Sequence, residues 1–161
     1  MEIRTARDED WSQIYPFYAR TVDEGRTYTL PEGLGMEEAR PLWMEGPPWR
    51  TVVAVDGDRV VGTAKMGPSL PGRGAGIAGA SFMVDPTHRG SGVGRALGEH
   101  VIEWCREAGF RGIRFNAVVE ANEAAVRLWK SLGFEVIGTV PEAFDHVDLG
   151  PVGLHVMYRR L

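Results

Sequence analysis

Residues 84–97 constrain the fold of this chain more than any other segment. The apolar run Ile77 to Val84 is followed by Asp85 and Pro86, then by a glycine-rich stretch, and then by apolar residues at helical spacing. Proline lacks the N–H that a central strand needs, so the strand must end before Pro86. Glycine supplies the backbone conformations that a tight turn requires. The segment therefore predicts a strand, a turn and a helix in succession, the unit from which layered α/β domains are built.

The turn between this strand and this helix has the composition of an anion-binding site. Its glycines let backbone N–H groups approach a ligand, and the first turn of a helix has unpaired N–H groups at the positive end of its dipole. Two arginines add positive charge at its rim. Such a turn suits a diphosphate. The residues expected to bind it are Arg89, Gly90, Ser91, Gly92, Val93, Gly94 and Arg95.

Two common glycine-rich phosphate motifs do not match this turn. A P-loop requires Gly-Lys-Ser/Thr, whereas Gly94 is followed by arginine and alanine. A dinucleotide-binding fingerprint that starts at Gly92 needs a glycine or alanine where Leu97 stands. One that starts at Gly90 meets an arginine at the same place. Both interpretations therefore fail.

The turn resembles the acetyl-CoA signature of the Gcn5-related N-acetyltransferases. That signature is arginine or glutamine, two residues, glycine, one residue, and glycine or alanine, after a strand that ends in Val-x-Pro. The matching residues are Val84, Pro86, Arg89, Gly92 and Gly94. A second cofactor segment of this family is matched in order and spacing by Asn122, Ala125, Leu128 and Gly133-Phe134. The resemblance extends over most of the chain and implies acetyl transfer from acetyl-CoA to an amine.

The resemblance also implies an α/β (α+β) fold with a single domain over residues 1–161. We expect a mixed, mostly antiparallel sheet of seven strands with three to four flanking helices. A V-shaped splay should separate the strand ending at Val84 from the strand Ile113 to Val119, and the pantetheine arm would lie in it. A backbone N–H near Phe82 to Val84 would then polarise the thioester carbonyl, where charge develops. Beyond the turn, the cofactor-binding residues implied are Phe82, Met83, Val84, Asn122, Ala125 and Trp129.

Hydrophobic periodicity predicts the individual elements. One face of a first helix is formed by Trp11, Ile14, Tyr15 and Tyr18. Asp8 or Asp10 can cap this helix, and Pro16 should bend or shorten it. Further helices are expected around Met36 to Met44, from Gly92 to Gly109, and after Asn122. The predicted strands are Glu2 to Ala6, Thr51 to Val55, Arg59 to Lys65, Ile77 to Val84, Ile113 to Val119, Phe134 to Val140 and Val152 to Tyr158. The last two flank a predicted loop, Pro141 to Pro151.

Acetyl transfer needs a general base, because an aliphatic amine is mostly protonated at neutral pH and only the neutral form attacks. The candidates are Glu120, Asp145 and His146, each of which is equally compatible with a solvated surface position. Asn116 lies in an apolar strand, either as a buried hydrogen-bonded amide or as a contact to substrate or cofactor. Of these, Glu120 and Asn116 are taken as the catalytic candidates.

Trp129 departs from the pattern of the family, in which many members place a tyrosine that protonates the departing CoA thiolate. An indole N–H cannot serve as that acid. The loss is tolerable, because a thiol with a pKa of about 8.5 leaves readily near neutral pH. Packing against the pantetheine arm or the acceptor is therefore the expected role of Trp129.

A narrower resemblance concerns the acceptor. The segments Phe115 to Asn122, Leu128-Trp129 and Gly133 to Pro141, with Gly25 to Tyr28, are similar to the branch that acetylates proline analogues such as azetidine-2-carboxylate. That branch tends to carry an acceptor-binding asparagine where this chain has Gly79. Two alternatives stay open: a non-catalytic acyl-CoA-binding or regulatory module, and an acetyltransferase that acts on protein or peptide lysines or N-termini.

Composition argues against several other classes of function. The formal net charge is −4, whereas a nucleic-acid-binding surface needs a basic surplus, so no nucleic-acid partner is expected. No apolar run approaches the roughly 18 residues of a transmembrane helix, so no membrane partner is expected. The single cysteine, Cys105, lies on an apolar helix face, which favours packing over use as a nucleophile. We expect a cytoplasmic protein without a bound metal, and the sequence is compatible with a homodimer.

Overall fold

Seven strands form one sheet in the computed structural model, which describes residues 1–161. The strands are β1 (Glu2–Thr5), β2 (Arg50–Asp56), β3 (Arg59–Pro68), β4 (Ile77–Val84), β5 (Gly112–Val119), β6 (Glu135–His146) and β7 (Gly150–Arg160). Their order in the sheet is β1-β2-β3-β4-β5-β7-β6. Only β4 and β5 run parallel, and all other neighbours are antiparallel. The expected mixed, mostly antiparallel sheet is confirmed.

Four α-helices cover the two faces of this sheet. They are α1 (Trp11–Asp23), α2 (Met36–Trp43), α3 (Val93–Glu107) and α4 (Glu123–Ser131). One apolar cluster joins α3 and α4 to residues such as Ala78 and Ile113, and a second joins α1 and α2 to Val53 and Met83. The alternation of side chains along β4 explains this division, because Ala78 and Met83 point to opposite faces. No helix combines the length and the apolarity that crossing a bilayer requires.

Cys105 lies on the inner face of α3 and is fully buried in the first of these clusters. Burial raises the pKa of its thiol to about 12. The thiol therefore stays protonated near neutral pH and cannot act as a nucleophile. Its expected packing role is confirmed.

The first helix differs from its prediction in two respects. Asp10 does not cap α1, because its carboxylate accepts two hydrogen bonds from Arg4, at 2.7 and 2.8 Å, and one from the Arg7 N–H at 2.7 Å. Asp8 lies outside the helix in an ion pair with Arg40. Pro16 does not shorten the helix, which continues to Asp23. Its buried apolar face outweighs the backbone hydrogen bond that the proline removes.

The prediction of a loop over Pro141 to Pro151 is wrong. β6 extends through it to His146, and β7 begins at Gly150, so only three residues form the turn. β6 lies at the edge of the sheet, where the missing N–H of Pro141 costs no ladder bond. The register also shifts between Val140 and Phe144, which places the proline in a bulge.

The centre of the sheet is incompletely paired. β4 and β5 pair only through Ile77–Gly112, Ala78–Ile113 and Gly79–Arg114. Beyond Gly79 the two strands diverge toward their carboxyl ends, which agrees with the expected V-shaped splay. A bulge between Phe115 and Val118 interrupts the β5–β7 register on the other side of β5. This V, between residues 80–84 and residues 115–119, is the cleft on which the functional site is built.

Asp10→Asn should destabilise the fold by about 1.5–3 kcal/mol at neutral pH, because it weakens charge-assisted hydrogen bonds to a nearly buried group. Bonding to Arg4 holds the pKa of the Asp10 carboxyl below its usual value of 3.8. The stabilisation is therefore present above that value and is lost as the pH falls through the lower, folded-state pKa. Denaturant titrations of both proteins between pH 7 and pH 3 measure this. A stability gap that stays constant down to pH 3 would contradict it.

Candidate active site

The turn from β4 into α3 is fixed by its own hydrogen bonds. The Asp85 carboxylate accepts from the backbone N–H and the hydroxyl of Thr87, both at 2.9 Å. Burial alone would raise the pKa of this carboxyl, but these bonds and the nearby Arg59 guanidinium outweigh it, and the pKa lies below its usual value. Gly90 and Gly92 follow with φ of 79° and 88°, a left-handed backbone that favours glycine.

The start of α3 presents a row of unpaired N–H groups. The first helical hydrogen bond runs from the Ala96 N–H to the Gly92 carbonyl, at 3.0 Å. The N–H groups of Val93, Gly94 and Arg95 precede it and have no helical acceptor. Gly92, at the N-cap, has no side chain to cap them. The turn therefore offers the anion-binding geometry that the sequence predicts, supplied mainly by the backbone.

The two arginines of the turn are already engaged with protein partners. Arg89 lies 3.9 Å from a carboxylate oxygen of Glu24. Arg95 donates to the Ser131 hydroxyl at 2.7 Å and lies 3.6 Å from Glu99. Both guanidinium groups remain about half exposed. They add positive charge near the turn and can turn toward an anion without unfolding any element.

The second predicted cofactor segment packs beside the first. Asn122 caps α4, as its Oδ1 accepts from the Ala125 N–H at 3.3 Å. Leu128 lies against Gly94, where a Cβ atom would be 3.3 Å from the leucine side chain. Only glycine therefore lets α3 and α4 approach this closely without a shift. The packing brings the starts of the two helices to the open end of the V.

Phe82 presents its peptide group to the V. In the antiparallel β3–β4 pair the N–H and C=O of alternate residues point away from the partner strand, and those of Phe82 meet the hydroxyl of Tyr28. The Phe82 N–H donates to this hydroxyl at 3.1 Å, and the hydroxyl donates to the Phe82 carbonyl. Burial raises the pKa of the Tyr28 phenol, so it stays neutral. The Phe82 N–H, the predicted oxyanion donor, thus lies in the cleft and donates to the Tyr28 hydroxyl.

Trp129 packs at the side of the V that faces α3 and α4. It is 7% exposed, and its ring centroid lies 4.6 Å from that of Phe82 and 4.9 Å from that of Phe115. These two phenylalanines lie on opposite arms of the V. The tryptophan therefore bridges the two strands where they diverge, and its expected contact with the pantetheine arm or the acceptor stays a prediction.

The catalytic candidates lie on the other arm. Asn116 is in the β5 bulge, exposed and without a hydrogen-bond partner, so its interpretation as a buried, bonded amide is wrong. Glu120 follows the end of β5, and its Oε1 accepts from the Gly153 N–H at 2.6 Å. Asp145 and His146 belong to β6 rather than to a loop. The His146 ring accepts from the Asp148 N–H at 3.1 Å.

A strap closes the cleft on the side of α1 and α2. The Val147 N–H, in the β6–β7 turn, donates to the Gly25 carbonyl at 3.0 Å. Next to it Arg26 forms an ion pair with Asp148 at 2.8 Å. The segment that follows α1 thereby meets the far edge of the sheet across the V. Gly25 to Tyr28 and Phe144 to His146 belong to the two segments that this strap joins.

Comparisons with known proteins agree with this geometry. Residues 7–134 match the sequence model of the acetyltransferase (GNAT) family. The N-acetyltransferase aca1 of Schizosaccharomyces pombe is 33% identical over 152 residues, 85% of this chain and 73% of that protein. This chain belongs to the GNAT family. A GCN5-related N-acetyltransferase from Kribbella flavida is 56% identical and has a TM-score of 0.95, covering 99% of this chain and 97% of that one. The putative acetyltransferase yncA from Salmonella typhimurium, solved with acetyl-CoA, is 27% identical with a TM-score of 0.83, covering 100% and 94%.

Two features of this GNAT site were not predicted. The contact between Tyr28 and Phe82 joins residues 54 positions apart, and only the unusual length of the segment after α1 hinted that it is functional. Arg114 lies within the predicted strand Ile113 to Val119, at the closed end of the V. An arginine within an otherwise apolar strand was the signal that could have identified it.

Gly92→Asp should weaken acetyl-CoA binding by tenfold or more, because it places a carboxylate against a diphosphate. The matched control is Gly92→Asn, which has the same shape and also tolerates a left-handed backbone but carries no charge. We expect it to retain most of the affinity. Isothermal titration calorimetry measures both. Parental affinity in the aspartate variant would show that the diphosphate binds elsewhere.

Tyr28→Phe should strengthen acetyl-CoA binding about two- to tenfold, because the hydroxyl no longer competes for the Phe82 N–H. Tyr15→Phe is the control, since it removes a similar hydrogen bond, to the Leu34 carbonyl at 2.8 Å, outside the V. Titration calorimetry of both variants gives the comparison. Equal or weaker affinity in Tyr28→Phe would mean that the hydroxyl keeps its place when the thioester binds.

Proposed function

We propose that this GNAT enzyme transfers the acetyl group of acetyl-CoA directly to the amine of a small acceptor that carries a carboxylate, such as a proline analogue. The observation that carries the proposal is the Phe82 peptide group, which faces the V and is not bonded to a neighbouring strand. The orphan N–H groups of α3 lie at the open end of the same V. A thioester whose diphosphate binds there extends along β4 toward Phe82.

The transfer step follows from this placement. The neutral amine attacks the thioester carbon, and the carbonyl oxygen gains negative charge that the Phe82 N–H stabilises once Tyr28 has moved aside. The tetrahedral intermediate then breaks its C–S bond and releases the CoA thiolate. The amine proton passes to a base. Trp129 donates no proton to the sulfur, and the low pKa of a thiol makes an acid dispensable there.

Glu120 is the base that we assign. One of its carboxylate oxygens is held by the Gly153 N–H, which fixes the side chain, and the other has no protein donor. It lies at the open end of β5 and would take the amine proton through water. A carboxylate in this position also favours the approach of a cationic amine.

The strap favours a small acceptor over a protein substrate. The bonds between Gly25 and Val147 and between Arg26 and Asp148 narrow the cleft on the acceptor side. Asn116 lies in the bulge of β5 with its amide free, and an amide can hold an amine or a carboxylate without adding charge. A protein lysine would have to enter past the strap. A non-catalytic acyl-CoA-binding module would need neither the free amide nor the carboxylate.

The test is CoA release by the purified protein with acetyl-CoA and three acceptors: azetidine-2-carboxylate, a polyamine and a lysine peptide. We expect release with the first acceptor alone. Asn116→Ala should lower kcat/KM for it about two- to tenfold, the value of one hydrogen bond, with acetyl-CoA affinity unchanged. Glu2→Gln, at the opposite edge of the sheet, is the control. Release with the polyamine or the peptide alone would refute the acceptor class, and no release with any acceptor would favour the binding module.

A further inference from the structure

Arg114 lies at the closed end of the V, on the face of the sheet that carries α1 and α2. Its neighbours in β5, Ile113 and Phe115, face the opposite side and belong to the apolar cluster of α3 and α4. Because side chains alternate along a strand, Arg114 points away from that cluster. It pairs with Gly79, the last residue of β4 that contacts β5. The backbone of Arg114 therefore lies where the two strands separate, and its side chain reaches Ser69, which follows β3.

The Arg114 guanidinium has a hydrogen-bond partner but no counter-ion. Its Nη2 donates to the Ser69 hydroxyl at 2.8 Å, whereas its Nε is buried without any hydrogen-bond partner. No carboxylate lies within 4.0 Å of it. Lys65, on the same face of β3, is bonded instead to Glu45 and to the Leu42 carbonyl. Of these two cations, only Arg114 lacks a counter-ion.

An unpaired cation that has lost part of its hydration is costly to a folded protein. A ligand carboxylate would supply the missing counter-charge. The planar guanidinium donates two parallel bonds to a carboxylate, which fixes the orientation of the bound molecule. Gly79 opposite has no side chain, and the nearest atoms to its absent Cβ belong to Trp49, at 3.4 Å, and Ser69, at 3.6 Å.

We propose that Arg114 binds the carboxylate of the acceptor and so determines its class. This inference rests on the proposed function, and it specifies which end of the acceptor faces which end of the cleft. Phe82 and Gly79 are three strand residues apart, about 10 Å, a gap that a small amino acid and an arginine side chain together span. The amine then lies at the thioester near Phe82, and the carboxylate lies toward the closed end. Asn116, two residues along β5 from Arg114, lies between the two.

A structural role is the competing explanation, in which Arg114 only ties the loop after β3 to β5 through Ser69. Ser69→Ala separates the two roles, because it removes the tie and leaves the charge. Arg114→Gln removes the charge and keeps a polar side chain. Arg114→Lys keeps the charge but loses the planar fork. Thermal unfolding and acetyl-CoA affinity show whether each variant is folded.

The experiment compares azetidine-2-carboxylate with azetidine-2-carboxamide, which has the same ring and amine but no charge. We expect the parent and Ser69→Ala to prefer the acid by about 10- to 100-fold in kcat/KM. Arg114→Gln should abolish this preference, mainly through KM, and Arg114→Lys should keep part of it. Loss of activity on both compounds by the same factor in Arg114→Gln, or a preference that survives it, would overturn the inference. If Arg114→Gln does not fold, the test is Arg114→Lys. A preference for the acid equal to that of the parent would then overturn the inference.

Calorimetry with the acid in the presence of CoA separates this inference from the proposed function. If the parent forms no product from either compound, the proposed function fails. Binding of the acid to the parent but not to Arg114→Gln would still assign the carboxylate site to Arg114. Equal binding to both proteins, or binding to neither, would overturn it.

Discussion

The candidate site depends on backbone N–H and C=O groups of β4 that lack a partner in the sheet. β4 and β5 pair over three residues and then diverge, so the peptide groups of residues 80–84 that point away from β3 have no strand partner. Buried peptide groups must be satisfied by something, and here the Tyr28 hydroxyl serves Phe82. A cleft of this kind is rigid and polar at once. In the proposed complex, an extended thioester would take the bonds that a strand would make, after the Tyr28 hydroxyl has left the Phe82 N–H.

The surrounding structure holds the V open. The aromatic side chains of Phe82, Phe115 and Trp129 fill the space between the two arms on one face. On the other face, the strap from Gly25 to Val147 crosses from α1 to the β6–β7 turn. Trp129 packs against a phenylalanine of each arm and so joins the two strands where they diverge. Asn116 and Arg114 are polar residues of a single strand, β5, which lines the proposed acceptor site.

The differences between expectation and structure have identifiable causes. Pro141 suggested a loop, but β6 is an edge strand, where a missing N–H has no consequence. Pro16 suggested a shortened helix, but the buried face of α1 decided its length. Asp10 looked like a helix cap, and Arg4 took its carboxylate instead. In each case a contact with residues distant in sequence, or the position of the strand in the sheet, outweighed the local preference.

The sequence by itself determined most of the elements, the glycine-rich turn and the family, because these depend on local chemistry: glycines at Gly90 and Gly92, the cap at Asn122, and apolar periodicity. It also indicated Asn116, but not whether the amide is buried. The tertiary structure alone decided that Tyr28 meets Phe82 and that Arg114 lies unpaired at the closed end of the V. Those contacts depend on where β4 and β5 separate. The point of separation is set by pairing and packing between segments that are distant in sequence, and a local sequence pattern does not predict it.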